Sequence, residues 1–409
     1  MKCRICNDSL DNCILDLQNS PCSNDFLNEH QLNCEEITYP LKLFLCTNCF
    51  LVQVKEFKKA NEIFSNEYIY HSSYSNTWLD HSKKFVNESV KRFNLNSSST
   101  VMEIASNDGY LLQYIKNKNI PCVGIEPASN IANIAIKKNI PTINDFFSYE
   151  FARDYVKNNK KVDFLIANNV IAHVPTLKDF VKGIKHILNP DGVLSLEFPH
   201  LLNMINYNQF DTVYHEHFSY FSLFTLTNLF SDYELSVFDC EEIKTHGGSL
   251  RVYIKNKGDN KNIKTESVDG ILNKELSAGI NNVRYYDNFY KNTIKIKYKF
   301  LDYIVNKKLE NKKIIAFGAA AKGNTFLNYC GIRKDFIDYV VDETPSKQGK
   351  YLPQSHIKVE KFDKIIQDRP DVIIIIPWNF KEEIIKKLEF TKSWNCELLT
   401  YIPTINIHK

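Results

Sequence analysis

The chain has 409 residues, more than one hydrophobic core usually serves, so two or three domains are expected. With 51 Lys and Arg against 48 Asp and Glu, the net charge is +3, which lacks the clustered basic excess of a nucleic-acid binder. Hydrophobic residues at 44% and charged residues at 24% exclude a disordered chain, and no apolar run approaches the roughly 20 residues of a membrane helix.

Residues Met1 to Cys6 lack the apolar segment of a signal peptide, so a cytoplasmic location is expected. Of the eleven cysteines, four form two C-x2-C pairs, Cys3 with Cys6 and Cys46 with Cys49. Two such turns complete a four-thiolate zinc site with no open coordination position, which makes the metal structural. The 39 residues between the pairs must fold as an insertion, and Cys13, Cys22 and Cys34 have no partner at ligand spacing. A disulfide reading is disfavoured in a reducing compartment.

Asn76 to Phe93 carries apolar residues at helical spacing. A buried strand is expected from Ser99 to Ala105, then a turn, Ser106-Asn-Asp-Gly109, opening the next helix. A second strand, from Cys122, ends at Glu126; a third, from Val162, ends at Asn168-Asn169. Leu188 to Gly192 reads as a turn before a strand from Val193 to Phe198. Such βα repeats imply a parallel sheet with its ligand at the strand C-termini, and an acid ending the second strand suits ribose hydroxyls. The G-x-G-x-x-G fingerprint is absent, and a carboxylate, Glu103, closes the first strand. A carboxylate there suits a cationic amino-acid tail better than a pyrophosphate, which favours S-adenosylmethionine over NAD.

Glu103-Ile-Ala-Ser-Asn-Asp-Gly-Tyr-Leu-Leu112 resembles the first motif of class I methyltransferases, in the variant of the sugar-nucleotide C-methyltransferases. The resemblance implies a cofactor site of Glu103, Ser106, Asn107, Gly109, Glu126, Asp145 and Asn168. Relatives commonly have Gly where this chain has Ala105.

The densest chemical signal is Asp211-Thr-Val-Tyr214-His-Glu216-His217-Phe-Ser-Tyr220. In an extended segment Tyr214 and Glu216 share one face and His215 and His217 the other; on a turn the sidedness differs. Two histidines around a Glu also suit a metal, though H-x-H without a third ligand is a weak signal. An imidazole, with its ordinary pKa near roughly 6.5, suits proton abstraction at neutral pH. The cluster resembles the active-site motif of the same family, which acts on nucleotide-linked 4-keto deoxysugars. That resemblance implies His217 as the base at C3, with Tyr214 and Glu216 orienting the sugar or stabilising the enolate. It also implies His173 beside the transferred methyl, and Tyr68, Tyr70 and Tyr74 in a segment closing over the cofactor, Tyr68 first among them.

Thr245-His246-Gly-Gly-Ser-Leu-Arg251 offers two glycines and a cation to a phosphate, although a plain hairpin turn explains the glycines equally well. Its assignment to substrate, through His246 and Arg251, rests on the resemblance. Residues 270–312 read as a long helical connector. Ile314 onward forms a second nucleotide-binding-like unit, Ala316-Phe-Gly318-Ala-Ala-Ala-Lys322-Gly-Asn324, with further strands at 336–341, 372–376 and 397–401. With Asp342 to Gly349 it resembles the family's C-terminal domain, implying substrate contacts from Gly318, Lys322, Asn324 and Lys347. Gln354 and Ser355 stand where relatives commonly carry Gly and Thr.

The fold expected is α/β: a zinc module (1–66), a class I methyltransferase Rossmann-like domain (67–268), a helical connector (269–311) and a second Rossmann-like domain (312–409). A monomer using S-adenosylmethionine and structural zinc on a nucleotide-linked sugar is expected, with neither nucleic acid nor membrane as partner. Methyl transfer to oxygen or nitrogen, and a zinc-ribbon nucleic-acid binder, are the competing readings.

Overall fold

The computed structural model describes residues 1–66 and 68–408. Three sheets organise it. The first is antiparallel, in the order β1 (Asn12–Ser20), β2 (Tyr39–Leu45), β3 (Val52–Val54) and then β9 (Ser219–Tyr220), a strand borrowed from far down the chain. Its two knuckles are built alike: Asn7 N–H donates to Cys3 O and Phe50 N–H to Cys46 O, and Asn7 and Phe50 both take left-handed φ.

The central sheet has seven strands, formed by β4 (Val101–Ile104), β5 (Cys122–Ile125), β6 (Thr142–Ile143), β7 (Val162–Asn168), β8 (Leu188–Pro199), β10 (Leu235–Ile243) and β11 (Ser249–Asn256). Across the sheet they run β6-β5-β4-β7-β8-β11-β10, the first five parallel and the last two antiparallel to their neighbours. Strand order reverses between β4 and β7, so their C-terminal ends open a crevice. The helix Asn76–Arg92 covers one face, its N-terminus capped by Ser75, whose hydroxyl accepts from Trp78 N.

Two local expectations change. Leu188 to Gly192 is not a free turn but a bulge at the start of β8: Val162 pairs with Leu188 and Phe164 with Val193. Asn189 stabilises it, donating to Asp163 Oδ1 at 2.6 Å. The connector is two helices, Glu266–Ala278 and Asp287–Leu309, because Gly279 adopts φ 92° and ends the first.

The third sheet comprises β12 (Ile314–Phe317), β13 (Val340–Val341), β14 (Val359–Glu360), β15 (Val372–Ile375), β16 (Glu397–Thr400) and β17 (Asn406–His408). Its order is β14-β13-β12-β15-β16-β17, parallel except for β17. One buried cluster joins Leu15, Leu41 and Leu43 of the first sheet to Phe300, Ile314, Phe326 and Tyr401, so the outer units share a core beside the central domain. None of the described helices is long and apolar enough to cross a membrane.

Candidate active site

The cofactor crevice lies where β4 and β5 end. Ala105 at φ 52°, Asn107 at 48° and Gly109 at 78° bend the chain sharply after β4. Glycine adopts such a φ without strain, so position 105 constrains backbone conformation rather than side-chain size. Glu126 accepts from Asn107 N and Ala128 N, both at 2.9 Å, and burial raises its pKa to about 7. Glu103 is buried and raised well above its usual range, chiefly by desolvation, with one oxygen lacking a partner. Ser106 Oγ and Asn168 Oδ1 are likewise buried without partners. A buried carboxylate and two orphaned oxygens around a small-residue turn fit the cationic, hydrogen-bonding tail of S-adenosylmethionine. Asp145 is exposed beyond β6.

Tyr214 and His217 converge because residues 214–217 form a turn, closed by His217 N–H donating to Tyr214 O at 3.0 Å. His217 Nδ1 donates to Thr212 O at 3.0 Å; a carbonyl only accepts, so the proton sits on Nδ1. Nε2 is then a lone-pair acceptor, and Tyr214 OH donates to it at 2.8 Å. Burial and the neighbouring His173 hold the His217 pKa well below the ordinary imidazole value. His173 stands edge-on to it, ring centroids 4.7 Å apart, with Nδ1 donating to Glu216 O at 2.8 Å. Burial lowers the His173 pKa to about 4. Glu216 turns away from His217; Asn24 Nδ2 donates to both its oxygens at 2.8 and 2.7 Å. Burial raises Glu216 to about 7, and the Asn24 contacts oppose that rise.

Glu216 and Tyr68 line one cavity of about 550 Å³, roofed by residues of the insertion between the knuckles, among them Cys22, Asn24 and Phe26. Phe64 stacks edge-on between Tyr68 (5.2 Å) and His173 (5.7 Å). Tyr70 and Tyr74 are 46% and 55% exposed, and the backbone of their segment is held against the cofactor turn, Ser72 N donating to Asn107 Oδ1 at 2.9 Å and Asn107 Nδ2 to Tyr70 O at 3.3 Å.

The substrate residues expected from the later motifs divide. Lys322, at the N-terminus of the helix Ala321–Cys330, lies 4.3 Å over the Trp378 ring and donates to Asn379 Oδ1 at 2.6 Å. Burial lowers its pKa to about 8, against the pull of Asp211, and that of nearby His246 to about 4. Both lie near enough to His217 to help lower its pKa. Arg251 does not offer a free cation: it bonds buried Glu197 and also Glu241 (2.8 Å), since a buried carboxylate demands a partner. The Gly247-Gly248 pair is no anion cradle. Gly248 N–H donates to Thr245 O; a Cβ on Gly247 would lie 2.6 Å from Trp378, so that glycine admits the third domain, while a Cβ on Gly248 would meet Asn203. Gly318 N–H closes on Val341 O, Lys347 Nζ donates to Ala319 O at 2.8 Å, and Asn324 Nδ2 donates to Ser23 O. The Gly318 N–H is thereby taken up, whereas Asn324 Oδ1 stays buried without a partner.

Sequence reasoning missed Asn24 and the buried Asp211, which accepts from Trp378 Nε1 at 2.7 Å and Tyr401 OH at 3.0 Å. The four paired cysteines meet as expected: their sulfurs all lie within 4.8 Å, with Cys3–Cys49 and Cys6–Cys46 at 3.4 Å. Zn–S bonds of about 2.3 Å set tetrahedral S···S spacings near about 3.8 Å, which this cluster fits. All four are free thiols rather than disulfides.

The sheet order, the crevice and its orphaned oxygens define a class I S-adenosylmethionine-dependent methyltransferase with a structural zinc module. Three family models run along the chain: a zinc binding domain over residues 3–64, a methyltransferase domain over 52–239 and a C-methyltransferase C-terminal domain over 244–403. The C-methyltransferase NovU of Streptomyces niveus is 29% identical over 386 residues, 94% of this chain and 91% of its own. All three units of the chain thus match domain models of zinc-binding C-methyltransferases, and the similarity to NovU runs along nearly its whole length. Among solved structures it is similar to an S-adenosylmethionine-dependent methyltransferase from Clostridium acetobutylicum (11% identity, 43% of this chain, 91% of that one, TM-score 0.34). It is also similar to the magnesium protoporphyrin IX methyltransferase of Synechocystis PCC 6803 with bound SAM (14%, 43%, 78%, TM-score 0.33).

Proposed function

We propose that the protein methylates the carbon, C3 by the family resemblance, next to the keto group of a nucleotide-linked 4-keto deoxysugar. The observation that carries this reading is the fixed tautomer of His217, a neutral imidazole whose Nε2 lone pair meets the Tyr214 hydroxyl, next in the chain to the cavity-lining Glu216. S-adenosylmethionine, when bound, supplies an electrophilic methyl group. Nε2 takes the proton from the carbon, and the C–H electron pair moves toward the carbonyl oxygen, giving an enolate whose carbon is the nucleophile. The Tyr214 hydroxyl first leaves Nε2, whose one lone pair must be free to take that proton, and turns to donate to the carbonyl oxygen, where it then holds the enolate; the proton on the His217 imidazolium passes to solvent after methyl transfer. Glu216, held by Asn24, accepts from a sugar hydroxyl. Tyr68 walls the cavity, backed by Phe64 and His173, and excludes water.

Carbon methylation alone requires a carbon-bound proton to leave. Incubating the enzyme with a nucleotide-linked 4-keto sugar in heavy water without S-adenosylmethionine should wash deuterium into the position next to the carbonyl, read by mass spectrometry. Methylated product without any wash-in would favour transfer to oxygen or nitrogen.

Acceptance of that sugar hydroxyl is strongest from an ionised carboxylate, so kcat/KM should rise with pH through about 7 as Glu216 loses its proton. His217 and His173, held low, are already neutral there and contribute no limb in that range. In Glu216→Gln this limb should vanish along with part of the plateau. A limb that persists in the variant would assign it to another group.

A further inference from the structure

Arg4 lies between the first two zinc-knuckle cysteines, yet its guanidinium points away from them. Arg4 Nη1 donates to Val54 O at 2.8 Å and to Phe218 O at 3.0 Å, and the group lies 5.4 Å from the Phe218 ring centroid. Phe218 is fully buried and directly follows His217. Val54 N–H donates to that same Phe218 carbonyl at 3.1 Å, and β3 pairs with β9 through Val52–Tyr220 and Gln53–Ser219. Buried Gln53 ties this junction back to the knuckle: its Oε1 accepts from Arg4 N at 3.1 Å and its Nε2 donates to Cys3 Sγ at 3.3 Å. Meanwhile Tyr220 OH and His217 Nδ1 both donate to Thr212 O. The stretch carrying the base is therefore a hairpin-like loop. Asp211 anchors one end in the third domain, and the other end is clamped by the first knuckle.

We infer that Arg4 is a positioning residue for carbon methylation: through the Phe218 carbonyl it fixes the loop that presents His217, so the zinc knuckle orients the base as well as stabilising its own module. The inference rests on His217 being the base. A rotation of the Phe218 peptide would swing the His217 ring off Thr212 O, and misplacement by about 1 Å can cost on the order of 10²-fold in rate.

The test compares Arg4→Met, which keeps the stem and loses the donors, with Arg4→Lys, whose shorter ammonium reaches one carbonyl. Four quantities are read on the full-length protein: zinc per chain, S-adenosylmethionine affinity by calorimetry, kcat and KM separately, and the His217 Nδ1–H resonance in selectively 15N-histidine-labelled protein. Expected are one zinc per chain and cofactor affinity within about twofold of wild type. With KM unchanged, kcat should fall about tenfold or more in Arg4→Met and to an intermediate value in Arg4→Lys, with the Nδ1–H signal weakened in the same order. A merely structural arginine would lower thermal stability but leave kcat per zinc-loaded molecule and the resonance as in wild type, and that result overturns the inference. Should Arg4→Met hold no zinc, Arg4→Lys decides alone: wild-type kcat and an unchanged resonance reject the assignment. His217→Ala is run beside them. If it retains deuterium wash-in, the reading of His217 as base fails, a failure separate from that of Arg4.

Discussion

His217→Ala is expected to lose turnover by about 10³-fold, and deuterium wash-in with it, while S-adenosylmethionine still binds within about twofold of wild type. A positioned general base contributes about 10² to 10⁴ in rate, and neither His173 nor His215 is held as His217 is. His173 Nδ1 is committed to Glu216 O, and its ring meets His217 edge-on rather than sharing its outlook. His215 is buried at the other side of the turn, against Tyr39 and Phe57. The cofactor crevice draws on Glu103, Ser106, Asn107 and Glu126, none of them bonded to His217, so binding and chemistry should separate cleanly. Tyr214→Phe is the companion. It removes the hydroxyl donor and leaves the Thr212 bond that sets the tautomer, so wash-in should fall less than in His217→Ala. Retained wash-in in His217→Ala would move the base elsewhere, to His173 first.

What could be read ahead of the structure was local chemistry. The C-x2-C pairs carry their geometry within each knuckle, and strand ends at Glu103, Glu126 and Asn168 follow from short-range pattern, so zinc cluster and cofactor crevice were legible. The Tyr214–His217 pairing depends on whether four residues turn or extend, and spacing alone left that open. Leu188 to Gly192 has turn chemistry in either setting; only pairing with β7 makes it a bulge. The contacts that hold the catalytic loop were illegible for a different reason. Arg4 to Phe218 spans 214 positions, Asn24 to Glu216 spans 192 and Asp211 to Trp378 spans 167. No periodicity or motif reports a pairing at that range. Arg251 shows the converse: a cation beside two glycines looks like a phosphate ligand until buried Glu197 is placed against it.

Cys46→Ser should be the most damaging single change to stability, lowering the melting temperature by about 10 °C or more and leaving less than one zinc per chain. Cys46 is fully buried, and its sulfur closes the cluster against Cys6 at 3.4 Å. Structural zinc in finger peptides is worth about 10–16 kcal/mol of folding free energy. At about 1.2 °C per kcal/mol, the value that about 2.1 cal/mol/K per residue sets for 409 residues unfolding together, that figure exceeds 10 °C. The loss should not stay inside the module. The second knuckle leads straight into β3, β3 pairs with β9, and the module's Leu15, Leu41 and Leu43 share a core with Ile314 and Phe326 of the third domain. Calorimetry should therefore show one transition moving down, rather than a small early step followed by an unaltered main one. Cys34→Ser is the control, because that thiol is exposed and outside the cluster, and its melting curve should overlay that of wild type. Stripping the wild type with a chelator should reproduce the Cys46→Ser curve, and Zn²⁺ but not Mg²⁺ should restore it, since thiolates select the softer ion. A Cys46→Ser protein that melts with the wild type at full zinc occupancy would mean that three thiolates and a fourth ligand suffice, and the closed four-cysteine site would be the wrong description.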